Sequence, residues 1–141
     1  MTALTADRIT ARRVGAAHSD PVAASAILYV GALAVLDASG NLAPGTAATG
    51  LTARGVVQAD VDNTGGAAGA VTAETVTGVF RFNNNAGDVT RAFIGKSAYI
   101  VDDNTVSSSS ATSTRSVAGV IDDVDADGVW VAVGLVTGTG Y

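Results

Sequence analysis

A few short segments of this 141-residue chain carry residue types whose spacing could do chemistry. Gly95-Lys96-Ser97 ends like a phosphate-binding loop, in which backbone amides and a lysine cradle phosphate. The complete pattern places another glycine five residues before Gly95, where this chain has Thr90. It also needs a long helix to follow, whereas Ser97 opens a β-like run, so a turn glycine beside an exposed lysine accounts for the segment. Asp123-Val124-Asp125-Ala126-Asp127-Gly128 matches the opening of a calcium loop, with carboxylates at the first, third and fifth positions and glycine at the sixth. The bidentate acid at the twelfth position is missing, because Gly134 stands there. An Asp-Gly hairpin turn explains the same residues without a metal. His18 is the single histidine, and adjacent Ser19 and Asp20 cannot converge on it as a triad must. It reads as a solvated residue before Pro21. Glu74 stands among threonines, without the second carboxylate that acid/base pairs require. With no cysteine, thiol catalysis, thiolate metal sites and disulfides are excluded. The expectation is a protein that is not an enzyme and needs no cofactor or metal.

The elements that would position these residues follow from composition. Hydrophobic residues make up 48% of the chain and charged residues 15%, a globular balance in a length suited to one domain. Aromatics are only 5%, so the core must be built mainly from Ala and Val and buries little area per residue. Such a thin core points to stability drawn partly from subunit contacts. Eight basic against thirteen acidic residues give a net charge of -5, which argues against a nucleic-acid partner. Arg8, Arg12 and Arg13 nevertheless crowd the start, while Asp102, Asp103, Asp122, Asp123, Asp125 and Asp127 come late. A basic start on an acidic body fits an arm that docks on an acidic partner, and equally a solvated terminus. The opening residues lack the pattern of a signal peptide. The most apolar segment, Val22 to Leu36, falls short of the roughly 20 residues that span a bilayer, so no membrane partner is expected.

Seventeen glycines and abundant Val and Thr oppose helix, while short alternating runs between Gly, Asn, Asp and Ser clusters indicate strands. The expected fold is all-β, a small β-barrel or β-sandwich with an extended N-terminal arm and at most one short helical turn. Residues 1–20 read as the arm or an edge strand, and 21–141 as a single β-domain. Ala26–Tyr29 and Ala32–Asp37 are expected to pair as a hairpin. Gly55–Val61 reads as a strand. Val71–Phe82 reads as the longest strand, with Val76, Phe80 and Phe82 on one face and Thr75, Thr77 and Arg81 on the other. A helical turn is expected within Asp88–Ile94, capped by Asp88 or Thr90 and stopped by Gly95. Ser97–Val101 is a short strand, Ser107–Thr114 a flexible polar loop, and Val117–Asp123 with Val129–Val136 a closing hairpin. Val129, Val131, Val133 and Leu135 share a face of its last strand. Trp130 falls on the other, where it would meet a neighbouring subunit or a covering loop. Gly55-Val56-Val57 and Gly119-Val120-Ile121, each followed by an acidic turn, form a weak internal echo.

The order of these motifs resembles the capsid decoration, or cement, proteins of tailed bacteriophages and prophages. The resemblance rests on Tyr29-Val30-Gly31-Ala32-Leu33-Ala34-Val35-Leu36-Asp37-Ala38-Ser39-Gly40, then Thr49 to Val56, Gly78 to Asn84, Ile94-Gly95-Lys96 with Tyr99 to Asp103, and Ala118-Gly119-Val120 through Asp127 to Val131. Together these span about residues 4–133. The resemblance implies a virion protein on the capsid exterior, made in the host cytoplasm, that clamps the major capsid protein lattice. It also implies homotrimers at threefold sites and a terminal arm reaching onto the shell. In this chain the capsid-binding arm would use Arg8, Ile9, Arg12, Arg13 and Val14, and the subunit interface Trp130. The alternative is a head-fibre base or a carbohydrate- or host-surface-binding β-module. That reading would prefer aromatics clustered on one face, whereas Tyr29, Phe80, Phe82, Phe93, Tyr99 and Trp130 are scattered singly.

Overall fold

A computed structural model describes residue 3, residues 5–7 and residues 17–134. Its architecture is all-β, as the composition requires. Five strands, β1 (Ala17–Pro21), β3 (Leu33–Leu36), β4 (Leu42–Pro44), β5 (Thr52–Val57) and β7 (Thr72–Val76), form an antiparallel sheet in the order β1-β7-β5-β3-β4. A second unit is a closed five-stranded barrel, ordered β10-β8-β12-β11-β9, from β8 (Gly78–Asn84), β9 (Ser97–Ile100), β10 (Thr105–Ser107), β11 (Val117–Asp125) and β12 (Gly128–Val133). Two short strands, β2 (Ile27–Leu28) and β6 (Val61–Asp62), make a separate ribbon. Closure leaves the barrel without free edges, whereas β1 and β4 bound the open sheet.

The layers are held together by β3. Its residues Leu33, Ala34 and Val35 are all fully buried, which a strand achieves only when both faces are covered. Leu33 and Val35 join Val56 in the cluster that contains Phe82, Ile100, Ile121, Val129 and Val131 of the barrel. Ala34, one residue out of phase, packs instead with Val22, Leu28, Leu42 and Val57 beneath the ribbon. This two-sided demand explains why the hairpin expected between Ala26–Tyr29 and Ala32–Asp37 does not form. β3 lies between β4 and β5, and β2 crosses to pair with β6.

The long strand expected over Val71–Phe82 is likewise two strands. β7 belongs to the sheet and β8 to the barrel, the chain changing layers at Thr77. The change resets the alternation: Ala73 and Thr75 face inward from β7, Phe82 faces inward from β8, and Val76 is only half-buried. Thr75 is therefore a core residue, not an outward one. The strand read over Gly55–Val61 begins earlier, at Thr52, and ends at Val57 before the ribbon strand β6.

The two echoing glycines serve similar ends in different layers. A Cβ on Gly55 would lie 2.5 Å from the Val76 carbonyl oxygen, and one on Gly119 would lie 2.0 Å from that of Ala132. Both glycines adjoin register shifts, in β5 against β3 and in β11 against β9, and both lie too close for a side chain to a carbonyl of the strand on their other side, β7 and β12.

The closing hairpin is present as β11 and β12, with Val129, Val131 and Val133 buried. Helical structure among the described residues consists of 3-10 turns at Asn85–Gly87 and Arg91–Phe93. Neither Asp88 nor Thr90 caps the second turn. Asp88 instead accepts hydrogen bonds from Ser107 Oγ at 2.6 Å and from the Ser108 amide at 2.9 Å, tying the serine-rich segment to the barrel. That segment is further tied where Ser109 N donates to Ser107 Oγ and Arg115 Nη1 to the Ser109 carbonyl.

Candidate binding surfaces

The segments with apparent chemical spacing are occupied by structural tasks. The Gly95 amide donates to the Ile121 carbonyl at 2.8 Å and the Lys96 amide to that of Phe93 at 2.9 Å. Amides that would cradle phosphate are thus spent on backbone carbonyls, and Ser97 begins β9. In the acidic turn, Asp125 Oδ1 accepts from the amides of Asp127 and Gly128, at 2.8 and 3.0 Å, while Oδ2 accepts from Trp130 Nε1 at 2.8 Å. The Trp130 bond first, then the Asp127 amide, hold the Asp125 carboxyl below its usual range against a smaller effect of burial. Asp123 turns away to pair with Arg91 at 3.1 Å. Among the described residues no three acidic or histidine side chains gather as a metal site would require.

His18 is a strand residue and not the solvated loop residue expected from its sequence context. It lies in β1 directly opposite Thr75 of β7. His18 Nδ1 and Thr75 Oγ1 are both buried and neither has a hydrogen-bond partner. Glu74 is exposed opposite Ser19.

Trp130 sits on β12 opposite Arg81 of β8, whose guanidinium carbon stands 5.6 Å from the indole centroid. With Asp125 holding the indole N–H, the half-buried ring is oriented by one cation and one carboxylate of its own chain.

The arm residues Arg8, Ile9, Arg12, Arg13 and Val14 lie outside the described residues. Strand β1, three residues after Val14, is described. β1 pairs with β7 over Ala17–Pro21, and Asp20 accepts two bonds from Arg54 of β5, from Nε at 2.8 Å and from Nη2 at 3.1 Å. This fork reaches across β7 and is partly shielded, the Asp20 side chain being 14% exposed and that of Arg54 30%. A bidentate, half-shielded pair fixes direction as well as position.

A surface that the sequence did not single out lies between β2 and β3. Tyr29 and Val30 are 62% and 61% exposed, an unusual state for consecutive large apolar residues, and Ile27 is 39% exposed nearby. Tyr29, Val30, Gly31 and Ala32 line a shallow hollow with Asp103 and Asn104. The Val30 amide donates to Asp60 Oδ1 at 2.9 Å, and Asp62 stands opposite Ile27. The patch therefore combines exposed apolar side chains with the acidic residues Asp60 and Asp103 beside them. It escaped sequence reading because Tyr29 was read as the end of a strand and Val30 as part of a hairpin turn, neither of which signals an exposed apolar pair.

No protein-family model, no curated protein and no solved structure matches this chain.

Proposed function

We propose that this protein is a structural virion component that binds the outer surface of a phage capsid and cements the major capsid protein lattice, as homotrimers at threefold sites. The observation that carries the reading is the anchored root of the N-terminal segment. The arginine-bearing residues enter the body through an edge strand locked by the Asp20–Arg54 fork, so tension on the arm passes directly into the sheet. Sheet and barrel share one hydrophobic cluster through Leu33, Val35 and Val56, which gives that anchor a stiff body to pull against. Further support comes from the order of glycine-turn motifs, which resembles that of decoration proteins. The cationic arm, with Ile9 and Val14 as apolar anchors, engages the shell or a neighbouring subunit by adding to a sheet edge. Trp130 is assigned to the contact between subunits.

The test is co-sedimentation with expanded heads lacking the protein. The full chain should pellet with heads to saturation, and a chain lacking residues 2–14 should lose most of that occupancy while its β-sheet circular dichroism is unchanged. Equal saturation by the two proteins would overturn the assignment of the arm, and failure of the full chain to bind any head would overturn the decoration reading.

A further inference from the structure

We propose that the hollow beside Tyr29 and Val30 is the receptor for residues 8–14 of a second copy of this chain, so that neighbouring molecules are linked by exchanged arms. The inference rests on the decoration reading for its place in an ordered array of copies.

Complementarity is the first argument. The patch offers exposed Tyr29 and Val30 with Asp103 lining the hollow and Asp60 bonded to the Val30 amide, while Asp62 stands opposite the nearby Ile27 and accepts from Thr64. Residues 8–14 read Arg-Ile-Thr-Ala-Arg-Arg-Val, three cations interleaved with two β-branched apolar residues. The chain's remaining basic residues are Arg54, Arg81, Arg91, Lys96 and Arg115. Arg54, Arg81 and Arg91 face carboxylates of their own body, and Arg115 donates to the Ser109 carbonyl. The densest run of cations in this acidic protein is therefore the arm, and it matches the patch in both charge and apolar content.

Topology then decides whose Val14 can fill the hollow. Ala17, Val76, Val56 and Leu33 lie in one row across β1, β7, β5 and β3. Three strand spacings place Ala17 roughly 14 Å from Leu33. The next row contains His18, Thr75 and Val57, and Val57 exchanges hydrogen bonds with Gly31 and Ala32. Advancing along β1 thus approaches the Tyr29 hollow, and tracing the chain backward from Ala17 leads away from it. Val14, three residues before Ala17, reaches at most about 11 Å. That falls short of the roughly 14 Å separating the two strands, before any distance along them is added. Val14 cannot dock in the hollow of its own chain, but the hollow of an adjacent copy is open to it.

Because the chain has no cysteine, engineered thiols report this contact without background. Full-length Val14→Cys and Val30→Cys variants are mixed without heads at high protein concentration under mild oxidation. The mixed Val14→Cys to Val30→Cys disulfide should dominate over both homodisulfides. Adding Arg12→Glu and Arg13→Glu to the first variant should lower its yield about tenfold, and Asp62→Lys with Asp103→Lys in the second should restore it. Homodisulfides alone, an intrachain disulfide in the doubly substituted chain, or a yield indifferent to the charge swap would overturn the proposal. Head binding is scored separately by co-sedimentation, so a failure of arm exchange is distinguishable from a failure of the decoration reading.

Discussion

Replacing Asp88 by Ala removes a carboxylate whose hydrogen bonds close the serine-rich segment onto the barrel. Its Oδ2 accepts from Ser107 Oγ at 2.6 Å and from Asn85 Nδ2 at 3.2 Å, and Oδ1 accepts from the Ser108 amide at 2.9 Å. Ser107 is fully buried, so its hydroxyl would lose its acceptor without gaining water. A bond to a charged acceptor contributes about 1.5–3 kcal/mol; the other two are partly open to solvent, so the total loss is about 2–3 kcal/mol. For a domain of this size that lowers Tm by roughly 6–12 °C. The loss depends on pH. Burial raises the Asp88 pKa, but the bonds from Ser107, Ser108 and Asn85 together outweigh it, leaving the carboxyl below its ordinary value. The folded protein therefore binds this proton less readily than the unfolded chain. The stabilisation is complete above the unfolded value of about 3.9 and is lost as pH falls through the folded one. Calorimetric melts of wild type and Asp88→Ala should differ most near pH 7 and converge in strong acid. Adding Ser107→Ala to Asp88→Ala should recover part of the loss, because both partners are then gone. A Tm gap under about 2 °C at neutral pH, or a gap that persists unchanged in acid, would refute the reasoning.

Asp20→Ala should cost about 1–2 kcal/mol by unlocking Arg54 and should speed amide exchange in β1 while leaving the barrel amides protected; uniform exchange would contradict the role of the fork. Gly119→Ala forces a Cβ to within 2.0 Å of the Ala132 oxygen, and an overpacking cost of about 3 kcal/mol should appear as a lower urea midpoint. An unchanged midpoint would mean that the ladder relaxes around the new methyl. Trp130→Ala should weaken self-association by at least about 2 kcal/mol in sedimentation velocity if the indole is an interface anchor. Unaltered sedimentation would confine Trp130 to its contacts with Arg81 and Asp125.

The all-β class was legible because glycine, β-branched residues and turn clusters leave no 3.6-residue periodicity to follow. The closing hairpin was legible for a local reason: Asp125 and Gly128 make the turn, and Val129, Val131 and Val133 alternate without interruption. Layer changes were not legible. The alternation through Val71–Phe82 is compatible with one strand, and only the packing of Thr75 against the sheet core and of Phe82 within the barrel shows that the chain switches layers at Thr77. β3 misled for the opposite reason, since a continuous apolar run suits a hairpin arm or a strand covered on both faces, and only its neighbours decide between them. Asp88 looked like a helix cap, yet its shortest bonds come from a segment 19 residues away. The Asp20–Arg54 fork joins residues 34 apart and carries no local signal.

Copy number in intact virions tests the central claim most directly. A trimer on each local threefold gives every surrounding major capsid subunit one decoration subunit, so quantitative mass spectrometry of purified particles should find a ratio of about one to one. A ratio corresponding to only a few copies per particle would contradict the cement reading and favour a fibre base, and absence from the particle would remove the protein from the virion altogether.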